Sequence, residues 1–156
     1  MARIAIIGAS TGGLPAAYEM KAAGPEHEVT GISETNAFHF VPSNPWVAVG
    51  WRTRKDISFP LQPSLEKKGI RLAAEAASSI DPVKNEVRTT SGRTVPYDYL
   101  IIATGAKLAF DEVEGLGPEG NTASVCTVDH AESSFSEYQR FLDDPGPIVI
   151  GAAQGA

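Results

Sequence analysis

The chain has 156 residues, of which 42% are hydrophobic, and its formal net charge is −6. This length and composition are typical of one soluble globular domain with a packed core. The negative charge and the small, isolated basic stretch Trp51–Lys55 exclude an electrostatic surface for nucleic acid, and no apolar run approaches the roughly 18 residues of a membrane helix.

The first predicted elements are a strand, a helix and a second strand. Arg3–Gly8 (RIAIIG) is a nearly continuous apolar run, typical of a parallel strand that is covered on both faces. Thr11–Ala23 follows as a helix, and His27–Ser33 (HEVTGIS) restores the β-branched character of a strand. This order and these lengths predict a βαβ unit, and hence an α/β fold with a parallel sheet.

The middle of the chain mixes irregular and β-rich segments. Thr35–Pro63 contains many Pro, Asn, Trp and Phe residues and is predicted as a long loop of the kind that carries function. Ser64–Lys68 predicts a short helical turn and Ile70–Ala74 a strand. Val83–Val95 has two β-rich runs about a Ser-Gly turn, which predicts a β-hairpin. Tyr99–Ala103 (YLIIA) predicts a further buried strand.

The last predicted helix, Asp129–Leu142, has Asp129 as its candidate N-cap. Its apolar stripe consists of Ala131, Phe135, Tyr138 and Leu142. After this helix, Ile148–Ile150 begins a strand that breaks into Gly151-Ala-Ala-Gln-Gly155-Ala156, so the closing pattern repeats the opening one. We therefore predict one dinucleotide-binding domain over residues 1–144, and the first strand and glycine turn of a second Rossmann-like domain over residues 145–156.

The glycines that follow the first strand predict a pyrophosphate site at a helix N-terminus, where free N–H groups and the helix dipole favour negative charge. Gly8 permits a tight turn and Gly13 permits close packing of the helix on the strand. Ser10 occupies the middle position, which is usually glycine, and its side chain would either crowd the phosphate or donate to it. Glu34 follows the glycines by about 20 residues, the spacing of a carboxylate that binds the adenosine ribose. The alternative is a tight turn with a surface glutamate.

Four motifs carry a resemblance to a known family. VPYDYLIIATGAKL, Val95–Leu108, resembles the segment of two-domain flavoproteins in which a hairpin returns to the sheet and ATG turns beside the flavin dinucleotide. FHFVPSNPWVAVGW, Phe38–Trp51, and VCTVDHAE, Val125–Glu132, resemble sulfide:quinone oxidoreductases, as does the opening GASTGGLPAAYEMK. The similarity extends over essentially the whole chain and implies the fold of pyridine nucleotide-disulfide reductase-like flavoproteins.

The resemblance implies FAD as the cofactor and assigns a set of contacts to it. The implied contacts are Gly8, Ser10, Thr11, Gly12 and Gly13 to the pyrophosphate; Ser33 and Glu34 to the ribose; Ala77 to the adenine; Pro42, Asn44 and Pro45 beside the isoalloxazine; and Thr104 and Gly105 in the FAD site.

The same resemblance implies a reaction in which sulfide is oxidised to polysulfur and electrons pass through FAD to a membrane quinone. Cys126 and His130 match auxiliary residues, since the sulfur-relay cysteines of the family follow the second glycine motif. The alternatives are that Cys126 is a small buried hydrophobe, and that His130 is a helix residue satisfied by the backbone. A single cysteine allows no internal disulfide, and no Cys and His cluster has the spacing of a zinc site.

These patterns predict an N-terminal piece of a longer enzyme. We expect it to bind FAD weakly and to lack sulfide-dependent quinone reduction by itself. With no signal peptide before Arg3, we expect cytoplasmic synthesis and a peripheral membrane protein that contacts the membrane through a C-terminal region absent here. The side of the membrane stays open, as does assembly into a homo-oligomer. Alternative functions are the flavin subunit of flavocytochrome c sulfide dehydrogenase, a type II NADH:quinone oxidoreductase, and a non-catalytic dinucleotide-binding module.

Overall fold

The computed structural model describes residues 1–151, which belong to two compact units. The first unit comprises Met1–Phe40 and Lys55–Ala109; the second comprises Val41–Arg54 and the chain from Phe110 onward. Each unit has its own secondary structure and its own candidate residues, and each is described by itself.

The strands are β1 Arg3–Ile7, β2 Glu28–Ile32, β3 Ala37–His39, β4 Ser58–Pro60, β5 Arg71–Ala73, β6 Ala77–Asp81, β7 Glu86–Thr89, β8 Thr94–Pro96 and β9 Tyr99–Ile102. The α-helices are α1 Gly13–Ala23, α2 Asn44–Ala48, α3 Leu61–Glu66 and α4 Val128–Asp143. Short 3-10 turns occupy Val41–Ser43, Arg54–Ile57 and Phe110–Glu112. None of the helices within residues 1–151 is long and apolar enough to cross a membrane.

The first unit is built on a four-stranded parallel sheet with the order β5-β2-β1-β9. Alternate residues of β1 point to opposite faces of this sheet. On one face, Ile4 and Ile6 pack with residues of α1 and α3; on the other, Ala5 and Ile7 pack with Val87 and other residues of the antiparallel sheet β6-β7-β8. Because both faces of β1 are covered, its sequence is an apolar run rather than an alternating one.

The second unit contains α2 and α4, which pack against each other. The two helices bury Val47 and Ala48 on α2, and Val128 and Ala131 on α4. Arg54 adds a polar link at the edge of this unit: its guanidinium donates to both carboxylate oxygens of Glu132, at 3.0 and 2.6 Å, and also to Asp129. These carboxylates, Glu132 foremost, raise the pKa of Arg54 further above its usual range.

The α/β fold and the opening βαβ unit are confirmed, as are the helix over 129–142, the strand over 70–74 and the hairpin. The prediction for Thr35–Pro63 is wrong in part, because this stretch contains the antiparallel pair β3 and β4 as well as α2. The strand β6 was not predicted. Its sequence ASSID is largely polar and exposed, so it lacks the apolar run or regular alternation that indicates a strand.

Three local predictions are also wrong. The N-cap of α4 is Thr127 rather than Asp129, since the Thr127 hydroxyl accepts the His130 N–H at 3.1 Å. Tyr99–Ile102 is an edge strand of the described sheet rather than a buried one, with Ile102 61% exposed. Ile148–Ile150 forms no strand, because no strand of residues 1–151 pairs with it; most of the predicted second glycine turn, with Gly155, lies outside the described residues.

Candidate cofactor site

The parallel sheet has a topological switch point at β1. The chain proceeds from β1 to β2 on one side, and β9 later adds on the other side. Ile7 lies opposite Ile32 of β2 and Ile102 of β9, so three strands end at one level. In open α/β sheets, ligands bind in the crevice outside such strand ends. The loops that begin at Gly8, Ser33 and Ala103 all start at this edge.

The glycine turn after β1 needs two of its glycines for steric reasons. Gly8 has a φ of +96°, and a Cβ there would lie 2.2 Å from the carbonyl oxygen of Ala103. A Cβ on Gly13 would lie 1.8 Å from the carbonyl oxygen of Gly8. Side chains at these positions would therefore displace the turn from β9 or the helix from the turn. The predicted conformational roles of Gly8 and Gly13 are confirmed.

The N-terminus of α1 faces an open edge that suits an anion. The helix has no side-chain N-cap and no acidic residue in its first turn. Ser10, Thr11 and Gly12 are exposed, and within residues 1–151 the Ser10 hydroxyl has no hydrogen-bond partner. The Leu14 N–H donates to the Ser10 carbonyl at 3.0 Å and Pro15 has no N–H, so the N–H groups left for a ligand are those of Gly12 and Gly13. These groups and the helix dipole favour a phosphate here. The residues present therefore fit the pyrophosphate of a dinucleotide.

The neighbouring loops place the predicted ribose residues, and Thr104 and Gly105 of the predicted FAD site, at the same edge of the sheet. The Ser33 N–H donates to the Ala73 carbonyl at 3.0 Å, so the Ser33 backbone extends the pairing of β2 with β5. Glu34 follows directly and is exposed. Thr104 and Gly105 follow β9 and are exposed, and a Cβ on Gly105 would meet no described atom within 4 Å. This edge therefore offers one exposed carboxylate and open space beside the glycine turn.

Ala77 begins β6, which is an edge strand of the antiparallel sheet in the described chain. The Thr90 N–H donates to the Ala76 carbonyl at 3.0 Å, while Ala77 lies opposite Thr89. Hydrogen-bonded and non-hydrogen-bonded pairs alternate along antiparallel strands. The N–H and C=O of Ala77 therefore point away from β7, towards the free edge of the sheet, where a ligand can reach them.

In the second unit, Asn44 is the most unusual of the predicted residues. It is fully buried, and neither the oxygen nor the nitrogen of its carboxamide has a hydrogen-bond partner within residues 1–151. The preceding residue, Ser43, is equally buried, but its hydroxyl accepts from Arg52 at 3.0 Å. Pro42 and Pro45 are exposed. Because buried polar groups are almost always paired, we expect the carboxamide to form hydrogen bonds with a group other than the described protein atoms.

The two candidate reactive side chains are Cys126, just before α4, and His130, in the first turn of α4. Cys126 is exposed, which contradicts the alternative of a buried hydrophobe. The His130 ring lies 5.6 Å from the Phe110 ring, and its Nδ1 is buried without a partner in the described chain. Thr127 satisfies the backbone N–H of His130 but not its ring. One thiol is therefore accessible to solutes, and one imidazole nitrogen is free to hold a proton.

Sequence reasoning missed four residues that shape the first unit near Ala77. Glu75 accepts hydrogen bonds from Thr89 and Ser91 and forms an ion pair with Arg93. These residues match no motif, and their pairing depends on the hairpin register. No sequence pattern could have found them.

Comparison with known proteins identifies the family of the chain. The sequence matches the family described as pyridine nucleotide-disulphide oxidoreductase over residues 2–153. It is 43% identical over 152 residues to the sulfide-quinone reductase of Aquifex aeolicus, covering 97% of this chain and 35% of that protein. It is 29% identical over 146 residues to the mitochondrial sulfide:quinone oxidoreductase of Mus musculus, covering 90% of this chain and 32% of that protein.

The fold also matches a solved structure. The crystal structure of the sulfide:quinone oxidoreductase from Aquifex aeolicus superimposes with a TM-score of 0.89 at 42% identity, covering 94% of this chain and 34% of the other. The chain thus spans about a third of the length of the relatives that it matches.

Proposed function

The chain belongs to the pyridine nucleotide-disulphide oxidoreductase family, and from that premise we propose that it is the FAD-binding part of a sulfide:quinone oxidoreductase. The observation that carries the proposal is the glycine turn at the switch point of the sheet. There, Gly8 and Gly13 bring the uncapped N-terminus of α1 against the end of β1. The sequence similarity to two sulfide–quinone enzymes supports the choice of substrate.

Within the first unit, we assign the parts of FAD to the groups described above. The pyrophosphate binds at Gly8, Ser10, Thr11, Gly12 and Gly13, and the ribose at Ser33 and Glu34. Ala77 binds the adenine through its free backbone groups, and Thr104 and Gly105 contact the cofactor after β9. Except for Ala77, which begins β6 of the antiparallel sheet, these positions lie in the segments that follow β1, β2 and β9 of the parallel sheet.

In the second unit, Pro42, Asn44 and Pro45 contact the isoalloxazine, and Cys126 and His130 serve the sulfur chemistry. The carboxamide of Asn44 provides an NH2 donor group and an acceptor oxygen that the described chain leaves unpaired. When bound, FAD supplies a two-electron carrier between sulfide and quinone. The exposed Cys126 thiol has an auxiliary role in binding substrate sulfur. His130 holds or releases a proton at Nδ1.

Partners and location follow from the same proposal. The substrates are sulfide and a membrane quinone, and the enzyme is a peripheral membrane protein. The chain itself is expected to show no sulfide-dependent quinone reduction. Robust turnover by these 156 residues would contradict that expectation.

A titration with FAD, followed by flavin fluorescence, tests the binding site. Replacing Glu34 by Ala should weaken FAD binding by about 1 to 3 kcal/mol, because a charge-assisted hydrogen bond to the ribose is lost. Glu19→Ala is the matched control, since Glu19 is an exposed carboxylate on α1, and it should leave FAD affinity unchanged. Equal affinity for the wild-type chain and Glu34→Ala would show that Glu34 is only a surface residue.

A further inference from the structure

A half-buried carboxylate, Glu75, lies at the entrance to β6. The Thr89 hydroxyl donates to Glu75 Oε2 at 2.6 Å, and the Ser91 hydroxyl donates to the same oxygen. Arg93 Nη2 lies 3.2 Å from the other oxygen, Oε1. These three partners come from β7 and from the turn into β8, so the carboxylate joins the loop after β5 to the hairpin. We refer to these four residues as the Glu75 cluster.

The cluster is less exposed than an ordinary surface ion pair. Thr89 is only 2% exposed, and the Glu75 side chain is 20% exposed. The hydrogen bonds from Ser91 and Thr89, with the nearby charge of Arg93, lower the pKa of Glu75 below its usual range. The carboxylate is therefore ionised at neutral pH and accepts all of these bonds.

A β-bulge lies on the other side of Ala77. Ala77 is opposite Thr89 and Ser79 is opposite Arg88, so Ser78 is an extra residue in β6. The Ser78 hydroxyl donates to the carbonyl oxygens of Arg88 at 3.1 Å and Thr89 at 3.2 Å. Bulges bend a strand and redirect its groups, and they are common beside binding sites. Ala77 thus lies between two fixed points, the Glu75 cluster and the bulge.

We infer that Glu75 is a positioning residue for adenine recognition: it fixes the loop before β6 so that the backbone N–H and C=O of Ala77 face the ligand. This inference rests on the proposed function, in which Ala77 binds the adenine. The pairing of β6 with β7 leaves these two backbone groups free, and together they match the neighbouring acceptor and donor on the edge of an adenine ring. Among the described residues, no member of the cluster hydrogen-bonds to the glycine turn, so its effect is confined to the adenine end.

Calorimetric titration of the 156-residue chain with two probes, ADP and inorganic pyrophosphate, tests this role. Pyrophosphate lacks the adenine and reports on the glycine turn alone. Glu75→Gln removes the negative charge and one of the two carboxylate oxygens, so the side chain can no longer accept from Arg93 and from both hydroxyls. ADP affinity should therefore fall by about tenfold with pyrophosphate affinity unchanged. Glu28→Gln is the matched control: it removes an exposed carboxylate that pairs with Arg71 at 2.6 Å, and it should change neither affinity.

Ser91→Ala provides a second variant in case Glu75→Gln does not fold. Ser91 is exposed, and the change removes only one hydroxyl that donates to Glu75. Its ADP affinity should fall by about threefold. Equal ADP affinity for the wild type and both variants would overturn the positioning role while leaving the proposed function intact. An equal loss of ADP and pyrophosphate affinity would also overturn it, since that result indicates a general loss of structure. A wild-type chain that binds neither probe would overturn the proposed function, and this inference with it.

Discussion

The candidate groups of the first unit are mainly backbone groups, whereas those of the second unit are side chains. In the first unit, close backbone approach leaves no room for a side chain at Gly8 and Gly13, and Ala77 presents its N–H and C=O at the free edge of its sheet. In the second unit, Asn44 and His130 have buried polar atoms that the described chain leaves unpaired. Packing thus determines the geometry of these groups in the first unit, whereas the second unit buries polar atoms without the hydrogen bonds that such atoms almost always have.

The largest effect is expected at Gly13, where the first site depends on the absence of a Cβ. Gly13→Ala places a methyl group 1.8 Å from the Gly8 carbonyl oxygen, so α1 must move away from β1. We expect a loss of about 3 to 5 kcal/mol in the free energy of unfolding, measured with urea. Gly12→Ala is the control, because its Cβ would approach the Ala103 Cβ only to 3.6 Å. Equal stability of the two variants would show that the turn tolerates a side chain.

Asn44 provides the opposite test in the second unit. Because its buried carboxamide has no partner in the described chain, Asn44→Leu should raise the free energy of unfolding by about 1 to 2 kcal/mol. The neighbouring Ser43→Ala should lower it by about 1 kcal/mol, since that change breaks the bond from Arg52. Thermal unfolding without cofactor measures both changes. Destabilisation by Asn44→Leu would mean that the carboxamide is already satisfied, and the contrast between the units would be lost.

A smaller effect is expected at Arg54, which links the loop after α2 to α4. Its side chain is 37% exposed, so solvent screens part of the attraction, and Arg54→Met should cost about 1 kcal/mol of unfolding free energy. Arg140→Met is the control, because Arg140 pairs with Glu137 on an exposed helix face and such pairs contribute little. Urea unfolding should separate the two variants. If they are equally stable, Arg54 does not hold this unit together.

The smallest effect concerns acid stability of the first unit. Hydrogen bonds from the Arg3 side chain and backbone, together with its charge, lower the pKa of Asp98 from 3.8 to about 2. Ionised Asp98 therefore stabilises the folded state above pH 3.8, and this contribution is lost as the pH falls to about 2. Circular dichroism in an acid titration should show Asp98→Asn to be less stable than the wild type at neutral pH, with the difference lost as the pH falls through about 2. A constant difference across this range would contradict the ion pair.

The sequence allowed prediction of the first unit wherever structure depends on local pattern. The apolar run before Gly8 predicted β1, and the spacing of the glycines predicted the turn that follows it. The structure gives the physical reason for these glycines, namely the positive φ of Gly8 and the lack of space for a Cβ at Gly13. The three-residue strands β3 and β4 were missed because the residues that pair, such as Phe38 and Phe59, are distant in sequence. Strands of this length are too short to show a period.

The Glu75 cluster near Ala77 and the burial of Asn44 could not be predicted either, because both depend on the folded arrangement of the chain. The Glu75 cluster depends on which residues of β7 and β8 face the loop after β5, and only the folded register determines that. The burial of Asn44 depends on how its helix packs, which one sequence does not specify. Thr127 was overlooked as the N-cap of α4 because Asp129 is also a strong capping residue. Two capping residues so close together leave the start of the helix ambiguous.

Binding of FAD to the wild-type chain and to Gly13→Ala, followed by fluorescence quenching of the flavin, shows whether the glycine turn holds the cofactor. We expect saturable, one-to-one binding of FAD to the wild type, with ADP competing for the same site, and no saturation with the variant. Binding of FAD with equal affinity to both proteins would contradict this expectation, as would a wild-type chain that leaves flavin fluorescence unchanged. Either result would mean that the glycine turn at the switch point does not hold the cofactor.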